Sequence, residues 1–92
     1  MRTFLATGGP NPATSVARLQ LGLERRILVQ LEIYNVAGRC VRSLADGPID
    51  AGVHIIEWDG KNERGQQVAT GVCIAKLKAG EKELTQKIVL AN

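Results

Sequence analysis

Turn-forming residues recur along this chain at distances that leave room only for short extended segments. Val36-Ala37-Gly38-Arg39 follows one apolar run, and Trp58-Asp59-Gly60 closes another. Gly65 and Gly71-Val72 lead into a third, and Ala79-Gly80 separates the last two. Runs of about 5 to 9 residues between turns are too short for most helices, and several alternate with period two. The chain therefore reads as all-β.

Residues 1–14 read as an extended lead-in or linker, because Thr7-Gly8-Gly9-Pro10-Asn11-Pro12 cannot hold a helix. The folded domain is expected over 15–92. Its first strand is Ser15–Leu21, followed by a turn at Gly22–Arg26. Ile27–Asn35 is the clearest strand: Ile27, Val29, Leu31 and Ile33 share one face, and Leu28, Gln30, Glu32 and Tyr34 the other. A tight turn at Val36–Gly38 returns the chain into Arg39–Leu44, with Gly38 supplying the positive φ of a short hairpin. Asp46–Gly52 reads as a crossover loop, Val53–Trp58 as a strand, Asp59–Gln66 as a polar loop and Gln67–Thr70 as a short edge strand. Val72–Lys78 and Leu84–Leu90 form a last hairpin. Seven strands with turns every ~8–12 residues predict a seven-stranded immunoglobulin-like antiparallel β-sandwich. The competing reading is a helix over Val16–Ile33, where Leu19, Leu23, Ile27 and Leu31 are spaced by four. Gly22 interrupts it, and the alternation from Ile27 favours strands.

At 92 residues the chain makes one domain, with 45% apolar residues but only Phe4, Tyr34 and Trp58 as aromatics. Val, Ile, Leu and Ala must supply most of the core. The net charge of +3 sits in residues 1–26, where Arg2, Arg18, Arg25 and Arg26 face only Glu24. No basic stripe with interleaved aromatics exists, which argues against a nucleic-acid partner. No apolar run approaches the ~20 residues of a membrane span.

Few residues suggest chemistry. Cys40 and Cys73 fall on expected strands and are either a possible disulfide or two small thiols that fill space. Asp59, Asn62 and Glu63 share a loop, but Lys61 and Arg64 interrupt any calcium-binding pattern, so these side chains are expected to bond their own turn. His54 is the only histidine, which excludes a multi-histidine metal site built from this chain. Tyr34 and Trp58 are candidates for a sugar-binding platform, although Trp58 is better read as packing against the sandwich edge. No catalytic, cofactor-binding or metal-ligating residue is assigned, and no cofactor is expected.

Taken in order, Pro10-Asn11-Pro12, Tyr34-Asn35-Val36-Ala37-Gly38-Arg39-Cys40-Val41, Trp58-Asp59-Gly60, Gly65, Gly71-Val72 and Lys87-Ile88-Val89-Leu90 carry a resemblance. The chain resembles the bacterial immunoglobulin-like C-terminal domains related to the flagellar hook-capping protein, and is similar to type IX secretion sorting domains. Cys40 and Cys73 stand where larger residues are usual in that pattern. The resemblance implies a non-enzymatic C-terminal module of an exported bacterial protein, secreted or at the cell surface. Its partners would be the export or surface-attachment machinery, or a neighbouring domain of the same chain. The alternatives are a structural assembly module like the hook-cap relatives and an accessory carbohydrate-binding module. Gly38, Gly60, Gly65 and Gly71 are read as structural turns. A sorting role points to recognition through the edge of the final strand, at Leu84, Gln86, Lys87, Ile88, Val89 and Leu90.

Overall fold

The computed structural model describes residues 2–9 and 16–91. Pro10-Asn11-Pro12 and Ser15 lie outside the described residues. Seven strands follow one another: β1 (Phe4–Thr7), β2 (Ala17–Leu23), β3 (Ile27–Asn35), β4 (Cys40–Ile49), β5 (Gly52–Trp58), β6 (Gly71–Ala79) and β7 (Lys82–Leu90). They form two antiparallel sheets, one ordered β1-β2-β5 and the other β4-β3-β6-β7, stacked as an immunoglobulin-like sandwich. Among the described residues no helix is long and apolar enough to cross a membrane.

The period-two pattern becomes the core directly. β2 contributes Ala17, Leu19, Leu21 and Leu23; β3 contributes Val29, Leu31 and Ile33, all at most 4% exposed. β6 supplies the smaller Cys73, Ala75 and Ala79 beside Leu77, and β7 supplies Ile88 and Leu90. The small side chains of β6 leave room for the leucines across the roughly 10 Å gap between the sheets. Each fully buried leucine contributes on the order of 1.5–3 kcal/mol of transfer free energy.

Three expectations change. The first concerns the lead-in: Phe4–Thr7 is a strand in the smaller sheet, paired from Phe4↔Gly22 to Thr7↔Leu19. Its side chains are only half-buried, so it lacks the alternation that marks the other strands.

Gln67–Thr70 forms no strand. It makes an isolated bridge, Lys61↔Gln67, because Val68 N–H donates to Gly60 O (2.8 Å) and the Gln67 amide donates to the same oxygen (3.0 Å). The segment closes on its own loop instead of joining a sheet.

The crossover loop at Asp46–Gly52 is also replaced. β4 runs on through Asp46, Gly47 and Pro48, opposite Gln30, Val29 and Leu28, and reaches Ile49. An edge strand tolerates these residues, since on its outer side no further strand needs the N–H that proline lacks. Register shifts beside Leu31/Glu32 and Ile33/Tyr34 take up extra residues of β4 as bulges. Only Asp50 and Ala51 then separate β4 from β5, where the chain crosses from one sheet to the other.

Candidate functional site

The Asp59–Thr70 loop is held by its own polar groups. Asp59 Oδ1 accepts from Lys61 N (3.0 Å) and from Arg42 Nη1 (3.3 Å). Asn62 Oδ1 accepts from Arg64 N (2.9 Å) and Gln66 N (3.0 Å). Glu63 accepts from Ser43 N (2.6 Å) and lies 3.9 Å from Arg42 Nε. Arg42 also donates to Lys61 O (3.1 Å), which receives the Trp58 indole N–H as well (2.9 Å). Every oxygen-bearing side chain proposed for calcium is thus directed at a turn or at Arg42. No cluster that suits a metal ion occurs among the described residues. Arg42 was not singled out from sequence; nothing local in the chain signals that it meets a loop 17 residues away.

Trp58 is completely buried at the base of this loop. It cannot face a sugar, so the Tyr34–Trp58 platform does not exist. Tyr34 lies on the outer face of the larger sheet, where its hydroxyl donates to Glu32 (3.0 Å) and Lys76 Nζ sits 5.4 Å above its ring. The bond to Glu32 raises the Tyr34 pKa, because a neighbouring carboxylate opposes phenolate formation.

The two cysteines are free. Cys40 is opposite Tyr34 and Cys73 opposite Asn35, on the two flanks of β3. Two strand spacings separate them by roughly 9–10 Å, beyond the ~7 Å a disulfide spans. They also face opposite ways: Cys73 is 2% exposed in the core, whereas the Cys40 thiol contacts Glu32 and the Arg42 carbonyl outside. The disulfide reading is therefore corrected. Burial raises the pKa of both thiols, with Glu32 adding to the effect at Cys40.

Gly38, Gly60, Gly65 and Gly71 have φ of 83°, 76°, 79° and 130°. At Gly38 the conformation serves a tight hairpin: Gly38 N–H donates to Asn35 O (3.0 Å), and the Asn35 side chain accepts from Ala37 N and Arg39 N (3.0 Å each).

The hollows of the molecule are open. One of about 530 Å³ at the end of the sandwich is lined by Thr3, Glu24, Ile27, Gly80 and Lys82. Its Glu24 carboxylate is already occupied by Lys82 (2.6 Å) and Thr3 (3.4 Å). Lys82 holds the Glu24 pKa below its ordinary value.

The final strand β7 is one of the two lateral strands of the larger sheet and pairs along its whole length with β6. Of the residues expected to be recognised there, Ile88 and Leu90 point into the core, Leu84, Gln86 and Val89 are half-buried, and Lys87 is exposed. Beside β7 runs β1, with Arg2, Thr3, Phe4, Leu5, Leu84 and Thr85 lining a shallow seam between the sheets.

The same architecture occurs in two solved structures. Dimeric latent PorU from Porphyromonas gingivalis aligns with a TM-score of 0.69 at 19% identity, covering 97% of this chain and 9% of that one. PorZ, described as an essential surface component of the type IX secretion system of the same bacterium, aligns with a TM-score of 0.62 at 14% identity. That alignment covers 98% of this chain and 11% of PorZ. This chain thus spans about a tenth of the length of either protein, and the likeness is one of fold. No curated protein sequence matches it. The profile of the FlgD Ig-like domain matches residues 11–83, most of the length and six of the seven strands in whole or part, so the chain belongs to the FlgD Ig-like domain family.

Proposed function

We propose that this domain is a non-catalytic module of an exported bacterial protein, acting in sorting or surface attachment. The observation that carries this reading is the use of the polar side chains. Asp59, Asn62 and Glu63 are spent on turns and on Arg42 within the domain, and no buried side-chain polar atom among the described residues lacks a partner. What such a domain offers a partner is surface and strand edges. The relatives in type IX secretion support an exported or surface setting.

The recognition element in this reading is the edge of the final strand, Leu84–Leu90, where Thr85 and Lys87 are exposed. An extended segment of an export or attachment factor would pair with its backbone, with the side chains setting selectivity. Deleting the strand is a poor test, because Ile88 and Leu90 belong to the core. The test is a reporter bearing a signal peptide, fused ahead of residues 1–92 in a bacterium with type IX machinery. Release or surface display with the fusion, lost in a folded Thr85→Glu/Lys87→Glu variant, is the expected outcome. Retention of a folded wild-type fusion in the periplasm refutes the sorting role.

A further inference from the structure

The two sheets have four lateral strands; β7 is assigned to an export or attachment partner above, and β4 and β1 are guarded. β4 carries two register shifts and Pro48, and Glu63 covers part of its edge: Glu63 N–H donates to Val41 O (3.2 Å) while its carboxylate accepts from Ser43 N. β1 is only four residues long. β5 has none of these devices. It pairs with β2 over seven consecutive residues without a register shift. Among the described residues, no backbone group of 52–57 bonds to anything outside the sheet. It contains no proline or lysine, and on its outer face Val53 and Ile55 are 50% and 61% exposed. A flat, apolar, unguarded edge is a template for strand pairing.

We propose that β5 is the edge through which two copies of this chain associate, by antiparallel β5–β5 pairing about a two-fold axis. Outward-pointing backbone groups alternate along a strand, so they meet only in registers centred on a residue. Centring on His54 sets Val53 of each copy opposite Ile55 of the other, and the two most exposed apolar side chains of β5 cover each other. The charges beside the strand are self-complementary. One end carries the Arg18–Glu57 pair (2.8 Å) and the other the Arg26–Asp50 pair (3.0 Å). Antiparallel approach brings a neutral pair next to a neutral pair, with no net charge opposing contact. The product is a six-stranded sheet, β1-β2-β5-β5-β2-β1. An interface of one strand edge is small, and its dissociation constant is expected on the order of 10⁻⁴ M.

The experiment is sedimentation equilibrium of residues 1–92 from about 10 μM to about 1 mM, which spans that expectation. Amide hydrogen exchange of the same samples is followed in parallel. The mass should rise from 9.9 kDa toward twice that value, and β5 amides should gain protection with concentration. Ile55→Lys, at an exposed position, should weaken association at least about tenfold, and Val53→Lys should do the same. A mass that stays at 9.9 kDa throughout overturns the proposal. So does association that both lysine variants leave intact, or concentration-dependent protection confined to other strands. Protection of β5 only when a different protein is added refutes self-pairing. The amide readout on the unaltered chain decides the matter even if a lysine variant fails to fold.

Discussion

Gly22 is the penultimate residue of β2, with an ordinary extended backbone, and Phe4 of β1 lies across it. A Cβ placed on Gly22 would come 2.1, 2.5 and 2.9 Å from the Phe4 ring atoms Cε2, Cδ2 and Cζ, so the ring must leave. Gly22→Ala is thus a test of β1 docking. Expelling the half-buried ring forfeits about half the 1.5–3 kcal/mol of a fully buried phenylalanine, or roughly 0.75–1.5 kcal/mol. Alanine returns about 0.5–1 kcal/mol over glycine in a strand. If the strand slides or strains instead, overpacking adds on the order of 1 kcal/mol. The expected net cost therefore runs from near zero to about 2 kcal/mol. In a Phe4→Ala background the obstacle is gone and the sign should reverse, Gly22→Ala then stabilising by about 0.5 kcal/mol. Urea unfolding followed by Trp58 fluorescence measures all four proteins, since the single tryptophan is completely buried in the folded state. If the two substitutions add within about 0.3–0.5 kcal/mol, the ring does not pack on Gly22 and the β1 docking argued here is wrong.

Other expectations follow from the remaining geometry. Under native conditions one thiol, Cys40, should react with an alkylating reagent, and Cys73 only after unfolding; intact mass should show no disulfide. Trp58→Ala should cost on the order of 3–5 kcal/mol in the same urea assay, as a large cavity opens beneath the Asp59–Thr70 loop. Glu63→Ala should speed exchange of the Ser43 amide while changing global stability by less than about 1 kcal/mol, because the lost bond is exposed to water. Glu24 has a folded pKa below its ordinary 4.5, so its contribution is present above that value and lost as pH falls through the folded pKa. Side-chain carboxyl NMR should give Glu24 a midpoint below 4.5, and Lys82→Ala should move it back up.

Period-two alternation and turn chemistry are local properties, and what they control was readable from the chain. Ile27–Asn35 is a strand with the bounds and buried face its alternation predicts, and the sandwich class follows from the spacing of the turns. Hairpin geometry at Asn35–Arg39 is likewise a matter of a few adjacent residues. Tertiary structure decided whatever depends on partners distant in sequence. Phe4–Thr7 is a strand because Gly22 leaves a place for its ring, and no pattern within four half-buried residues announces that. Gly47-Pro48 stays in β4 because that strand lies at an edge, a fact of sheet order alone. Cys40 and Cys73 stay apart because β3 lies between them, and Asp59 and Glu63 serve Arg42 across the sandwich opening. Which edges are covered and which are open also emerges only once the sheets are stacked. Edge exposure is set by neighbours in space, which local sequence does not encode.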